Sequence, residues 1–138
     1  MPAIFLDTAY LIAVFNEDDS RHATALRIAL DLESRRSRTF VTTPLVLAEF
    51  LAGVSRMGAR MRAGAARYVA ELLTDPSVEV VELNAELFGA ALDLYSRRPD
   101  KSYSLTDCAS MVICRQRRIT EVLTADHDFE QEGFTILL

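Results

Sequence analysis

The sequence predicts an α/β fold in which a single parallel sheet of about five strands is flanked by helices. Three observations predict it. Short apolar runs alternate with helical patterns from end to end, as a parallel sheet with right-handed crossovers requires. No linker, repeat or low-complexity stretch interrupts the alternation, so residues 1–138 read as one domain. At 50% hydrophobic and 25% charged residues, with only 5 Gly and 4 Pro, the composition excludes disordered and collagen-like chains. A chain of this mass buries roughly 68% of its unfolded surface, enough for a core without disulfide staples.

The elements follow in order. Residues 3–6, Ala-Ile-Phe-Leu, form the first strand, followed by a short helix over 10–15 and a longer one over about 20–36. Residues 39–42 are the second strand. Thr43 is placed to cap a helix with Pro44 at its first position, where proline's missing N–H costs nothing, and that helix runs to about Val54. Another helix covers about 59–73, and 78–82 is the third strand. Asn84 caps a helix reaching Arg97, and Ser104 caps one reaching Arg117. The fourth strand is 121–124, and 134–137 is the fifth strand.

Two classes of function are excluded early. Residues 3–15 are apolar enough to resemble a signal sequence, but they lack a basic start and carry Asp7 in their middle. Thirteen residues cannot span a bilayer, so no membrane segment and a cytoplasmic location are expected. Cys108 and Cys114 lie six apart in a helical segment, about 9 Å by helical rise, too far for a bridge. No zinc spacing exists. The stretch from Gly53 to Arg60 has the glycine spacing of a phosphate loop, yet it lacks the lysine and does not follow a strand.

Acids and arginines carry the informative pattern. In such sheets ligands sit beyond the carboxyl ends of the strands, and Asp7 and Asp126 stand at two of these ends. Either could instead cap a helix or begin a turn. Glu49 lies inside Leu45–Ala52, so apolar on every face that a carboxylate there needs a partner, and its nearest arginine, Arg56, is seven positions on. Asp107 follows Ser104 at capping-box spacing, but it shares a helical row with Met111 and Cys114 that faces the protein body. If the four acids converge, a site of charge −4 cannot stay ionised without cations, and all-oxygen ligands select magnesium or manganese. Of the 15 basic residues only Lys101 is lysine. Arg56, Arg60, Arg62 and Arg67 run without an intervening acid, as either a solvated helix face or a strip that faces phosphates.

Taken together, these segments resemble the PIN domain nucleases, and among them the VapC-like ribonuclease toxins of toxin–antitoxin pairs. The resemblance covers nearly the whole chain. Leu6-Asp7-Thr8-Ala9-Tyr10-Leu11 is similar to the family's opening motif, with Asp7 as the first metal-site acid and Thr8 as the neighbouring hydroxyl. Residues 48–53 resemble the helix bearing the glutamate, carried over to Glu49. Residues 103–110 and 123–129 resemble the third and fourth acid segments, carried over to Asp107 and Asp126. One departure is position 128, often histidine or basic in similar sequences and aspartate here, to which no ligand role is assigned.

The resemblance implies a sheet in 3-2-1-4-5 order and a Mg²⁺- or Mn²⁺-dependent endoribonuclease that cuts single-stranded RNA. Asp7, Glu49, Asp107 and Asp126 would bind the metal and catalyse, with Thr8, Thr106, Arg56 and Arg60 supporting the site or the substrate phosphates. It also implies a cognate antitoxin, whose basic side chain would enter the acidic pocket, and a homodimer. Attack by a metal-activated water leaves 5′-phosphate and 3′-hydroxyl ends without using the 2′-hydroxyl, so the choice of RNA comes from the resemblance. Two other readings stay open: a PIN nuclease of RNA maturation or turnover without an antitoxin, and an inactive interaction module. An ion pair holding Glu49 inside the core would favour the module.

Overall fold

A computed structural model describes residues 3–35 and 38–138. The strands are β1 (Ile4–Leu6), β2 (Phe40–Thr42), β3 (Val78–Val80), β4 (Glu121–Leu123) and β5 (Thr135–Ile136). They form one sheet, ordered β3-β2-β1-β4-β5, and every pairing is parallel. The helices are α1 (Thr8–Phe15), α2 (His22–Glu33), α3 (Pro44–Val54), α4 (Ala59–Thr74), α5 (Ala85–Arg97), α6 (Leu105–Gln116) and α7 (Asp128–Gln131).

Sequence and structure agree on the type and order of every element except α7. The sequence predicts no element over residues 128–131, because a four-residue helix has no periodicity to detect. α1 starts at Thr8 rather than Tyr10, directly after Asp7. β3 stops at Val80, two residues short of the expected strand. The expected end of the second helix, Arg36, lies outside the described residues. The three anticipated caps are present: Thr43 accepts from the Val46 N–H at 3.2 Å, Asn84 from the Leu87 N–H at 2.8 Å, and Ser104 closes a capping box with Asp107.

Register positions the functional edge. Leu6 pairs with Leu123 across β1 and β4, so the next residues, Asp7 and Thr124, emerge side by side at the carboxyl end of the sheet. The Thr42 hydroxyl donates to the Leu6 carbonyl at 3.0 Å and ties β2 to the same end. Because β1 is central, with β2 on one side and β4 on the other, this edge is where strand order reverses, the place where such sheets bind ligands.

Beneath the edge, α1, α3 and α4 pack through a triple of aromatic rings. Phe50 stands edge-on to Phe15 at 5.5 Å and to Tyr68 at 5.6 Å, while Phe15 and Tyr68 stack at 6.0 Å. The approach is close enough that a Cβ on Gly64 would meet the Phe15 ring at 3.3 Å and one on Gly53 would meet Ile12 at 3.1 Å. Gly53 therefore lies in α3 where it approaches α1, not in a phosphate loop. Cys108 and Cys114 are buried free thiols, as their spacing requires. No described helix is long and apolar enough to cross a membrane.

Phe50 is fully buried between two rings, so Phe50→Ala should cost about 3–5 kcal/mol. A lower urea midpoint with an unchanged m-value is the expected readout.

Candidate active site

Asp7 is the most constrained acid. It is 5% exposed and precedes α1, yet its side chain makes no capping bond, which removes the capping explanation. Its Oδ2 accepts from the Thr124 hydroxyl at 2.8 Å, and the same Thr124 oxygen accepts from the Asp126 N–H at 3.0 Å. Its Oδ1 is buried with no hydrogen-bond partner. Burial, only partly offset by the Thr124 hydroxyl and the Thr8 N–H and reinforced by repulsion from Asp107 and Glu49, lifts the Asp7 carboxyl to about 6.

Asp107 has two roles at once. Its Oδ2 accepts from the Ser104 N–H at 3.0 Å, completing the capping box, and it stands within reach of other acids. Burial, with repulsion from Asp126 and Glu49, raises its carboxyl although the Ser104 bonds oppose this. Asp126 lies in the loop between β4 and α7, where its Oδ1 accepts from the Asp128 N–H at 2.9 Å. Asp107, Asp126 and Asp128 can each present an oxygen within 4.8 Å of the others. All three are partly buried.

Glu49 corrects the sequence reading. Its helix is apolar, but Glu49 occupies an exposed position while Val46, Leu47 and Phe50 take the core. It needs no buried partner, and no ion pair to it is found among the described residues. It lies outside the close group of three acids, yet its charge raises both Asp7 and Asp107. Four acids from four segments are thus brought into one electrostatic field. Asp128 joins them, although the sequence reading left it unassigned.

The supporting residues divide. Thr8 is buried with its Oγ1 unpartnered, whereas Thr106 is partly buried and its carbonyl accepts from Ser110. Arg56 and Arg60 are exposed and make no ion pair among the described residues. Arg62 donates to the Ser55 carbonyl at 3.2 Å, which commits it to the α3–α4 turn. His127 is on the surface, paired with Glu130. Thr124 was missed by sequence reasoning. The only available signal was its alignment with Asp7, which needs the β1–β4 register.

A hard divalent cation fits this donor set. The near groups are carboxylates, and one buried oxygen has no donor of its own, a state that is costly unless a cation completes it.

The PIN domain family profile matches residues 4–134. The chain belongs to the PIN domain family. It is 30% identical over 131 residues, 95% of each chain, to a Mycobacterium tuberculosis protein named 23S rRNA-specific endonuclease VapC20. The crystal structure of M. tuberculosis VapC20, described as a toxin cleaving the sarcin–ricin loop, superposes with a TM-score of 0.82 at 27% identity, covering 96% of both chains. VapBC2 from Rickettsia felis, bound to a promoter DNA fragment, has a TM-score of 0.67 at 14% identity, covering 98% of this chain and 97% of that one. FitAcB from Neisseria gonorrhoeae gives 0.65 at 15%, with 98% and 96% covered. These last two share the fold. This PIN domain is thus a VapC-like nuclease, in the 3-2-1-4-5 strand order that the sequence implied.

A carboxyl raised from an ordinary 3.8 to about 6 destabilises the metal-free fold at neutral pH by about 3 kcal/mol. The folded state holds its proton more tightly than the unfolded chain. Without metal, the contribution of Asp7 to stability should therefore be full below about pH 4 and be lost as pH rises through 6. Asp7→Asn should remove most of this fall, giving a variant more stable than wild type at pH 7.5 in EDTA and equal to it at pH 3.5–4 by urea titration.

Proposed function

We propose that the protein is the toxin of a toxin–antitoxin pair, a Mg²⁺- or Mn²⁺-dependent endoribonuclease of the cytoplasm, with Asp7, Glu49, Asp107 and Asp126 as its catalytic metal-site acids. The observation that carries this reading is the buried, unpartnered Oδ1 of Asp7, held among acids at the strand edge of a PIN fold. Ribosomal RNA is the substrate class we assign, because the relative matched over 95% of both chains is named for 23S rRNA.

A bound divalent ion supplies a water acidic enough to attack phosphorus and charge to stabilise the leaving oxygen. The chain's own residues prepare that chemistry. Thr124 fixes one oxygen of Asp7 and leaves the other free. Ser104 fixes one oxygen of Asp107 through the capping box, and the Asp128 N–H fixes one of Asp126. Each bond selects a rotamer, so the remaining oxygens are presented without further ordering. Glu49, exposed at the rim, is free to meet solvent or substrate. Thr8 offers a buried hydroxyl, and Thr106 lies in the first turn of the helix that carries Asp107. Arg56 and Arg60, exposed and unpaired among the described residues, are placed to hold RNA phosphates.

The partners follow from the same surface. A pocket crowded with carboxylates attracts a guanidinium, which suits inhibition by an antitoxin that inserts a basic side chain. A homodimer is supported by apolar side chains left outside: Met57 at 43% exposed, and Phe88, Leu92 and Tyr95 at helical spacing on α5. Met61 packs inward against the core. The inactive-module reading loses support because Glu49 is not salt-bridged inside the core.

Two tests address the activity. Asp7→Asn and Asp107→Asn should each abolish Mg²⁺-dependent cleavage of a 23S rRNA fragment, leaving folded proteins by circular dichroism. Wild-type rates from both variants would remove the catalytic assignment. Replacing Arg56 and Arg60 with Ala should weaken RNA binding across sequences and flatten the plot of log affinity against log salt by roughly 0.7 for each phosphate no longer held. An unchanged slope would return these arginines to an ordinary solvated face.

A further inference from the structure

The Asp128 carboxylate has no role in the reading above, yet it is built into the same place. Its carboxylate reaches within 4.8 Å of both Asp107 and Asp126. An acidic cluster alone is common on protein surfaces, but here a second observation points to a ligand. The Asp7 Oδ1, on a residue 5% exposed, has no partner and lies in the field of Asp107 and Glu49. A buried carboxylate oxygen repelled by neighbouring acids is completed by a donor from outside the chain, and a cation does so while also offsetting the charge.

The helix that carries Asp128 is also held more firmly than a surface turn requires. Phe129 is fully buried and packs against Phe134 with ring centroids 6.1 Å apart. At the other end, the Glu132 side chain is 5% exposed and accepts from Arg98 Nε at 3.1 Å, Arg115 Nη2 at 2.7 Å and the Tyr103 hydroxyl at 3.0 Å. Arg115 donates to the Glu132 carbonyl as well. Tyr103 immediately precedes Ser104, whose capping box fixes Asp107. One carboxylate therefore joins the segment that sets Asp107 to the helix that sets Asp128.

We propose that Asp128 is a direct ligand of the divalent cation, alongside Asp107 and Asp126, and that Glu132 is a positioning residue whose clasp fixes the separation of Asp107 and Asp128. This rests on the metal-centre reading of the site. It assigns a fifth acid where the sequence pattern accounts for four. Glu132 touches neither metal nor substrate and acts only through α7 and the Tyr103–Ser104 segment.

The test is calorimetric titration of Mn²⁺ into the full-length protein without RNA, paired with the Mn²⁺-induced rise in melting temperature. Asp128→Asn should weaken binding by about tenfold or more and shrink that rise, with Asp128→Ser as a second variant in case the first misfolds. Glu132→Gln should weaken binding by about tenfold, the scale of an outer-shell loss. In the Asp128→Asn background it should have no further effect on affinity, because the two act through the same ligand. Wild-type protein that binds no Mn²⁺ would overturn this proposal together with the metal-centre reading. Wild-type binding with Asp128→Asn within twofold of it would overturn the Asp128 assignment alone. Additive losses in the double variant would overturn the positioning role of Glu132.

Discussion

Carboxylates gathered at one edge of a small sheet repel each other, and much of the surrounding structure can be understood as what keeps them there. Asp7 is buried where an ionised group is poorly solvated, and Asp107 and Glu49 add to the strain. A fold that tolerates this needs stability from elsewhere. It comes from the fully buried sheet centre, from the rings of Phe15, Phe50 and Tyr68, and from helix packing that brings Phe15 close against Gly64. The site is a local loss set against a global gain, a pattern expected where function needs charge in an apolar setting.

Neutral donors, not cations, hold the acids in position. Thr124, Ser104 and the Asp128 N–H each bind one oxygen of a different aspartate. Had arginines done this work, the site would be neutralised and a metal would gain little by binding. Arg98 and Arg115 pair instead with the buried carboxylate of Glu132. There burial alone would raise the carboxyl, but hydrogen bonds from Arg98, Arg115 and Tyr103 outweigh it and hold the group at about 2. Two kinds of carboxylate environment thus coexist in one small protein, one satisfied and one left open.

Much of this was legible in the sequence because it rests on local rules. Strands and helices alternate with clear caps at Thr43, Asn84 and Ser104, so the layered α/β order could be read directly. The four acids were found because each sits in a recognisable segment. Other features depended on tertiary placement. Glu49 looked buried because its neighbours are all apolar, but composition does not say which face a helix turns inward, and the structure turns Glu49 out. Thr124 gains its role only when β4 lies beside β1 in register. α7 is too short to leave a periodic trace, so the position of Asp128 could not be inferred. The arginine strip also reads as continuous in sequence, although Arg62 is committed to a backbone carbonyl.

The hydroxyl of Thr124 has a single hydrogen to give. It gives it to Asp7 Oδ2 and receives one from the Asp126 backbone, so the direction of the whole chain of bonds is set. When Asp7 takes up a proton, the oxygen left for it is Oδ1, the same atom left open for a metal. Acid and metal are then rivals for one lone pair, and the nuclease carries a mutually exclusive choice at the atomic level. On the metal-centre reading, falling pH and falling metal concentration would empty the site by the same route, coupling the protein's readiness to two variables of its surroundings through one oxygen.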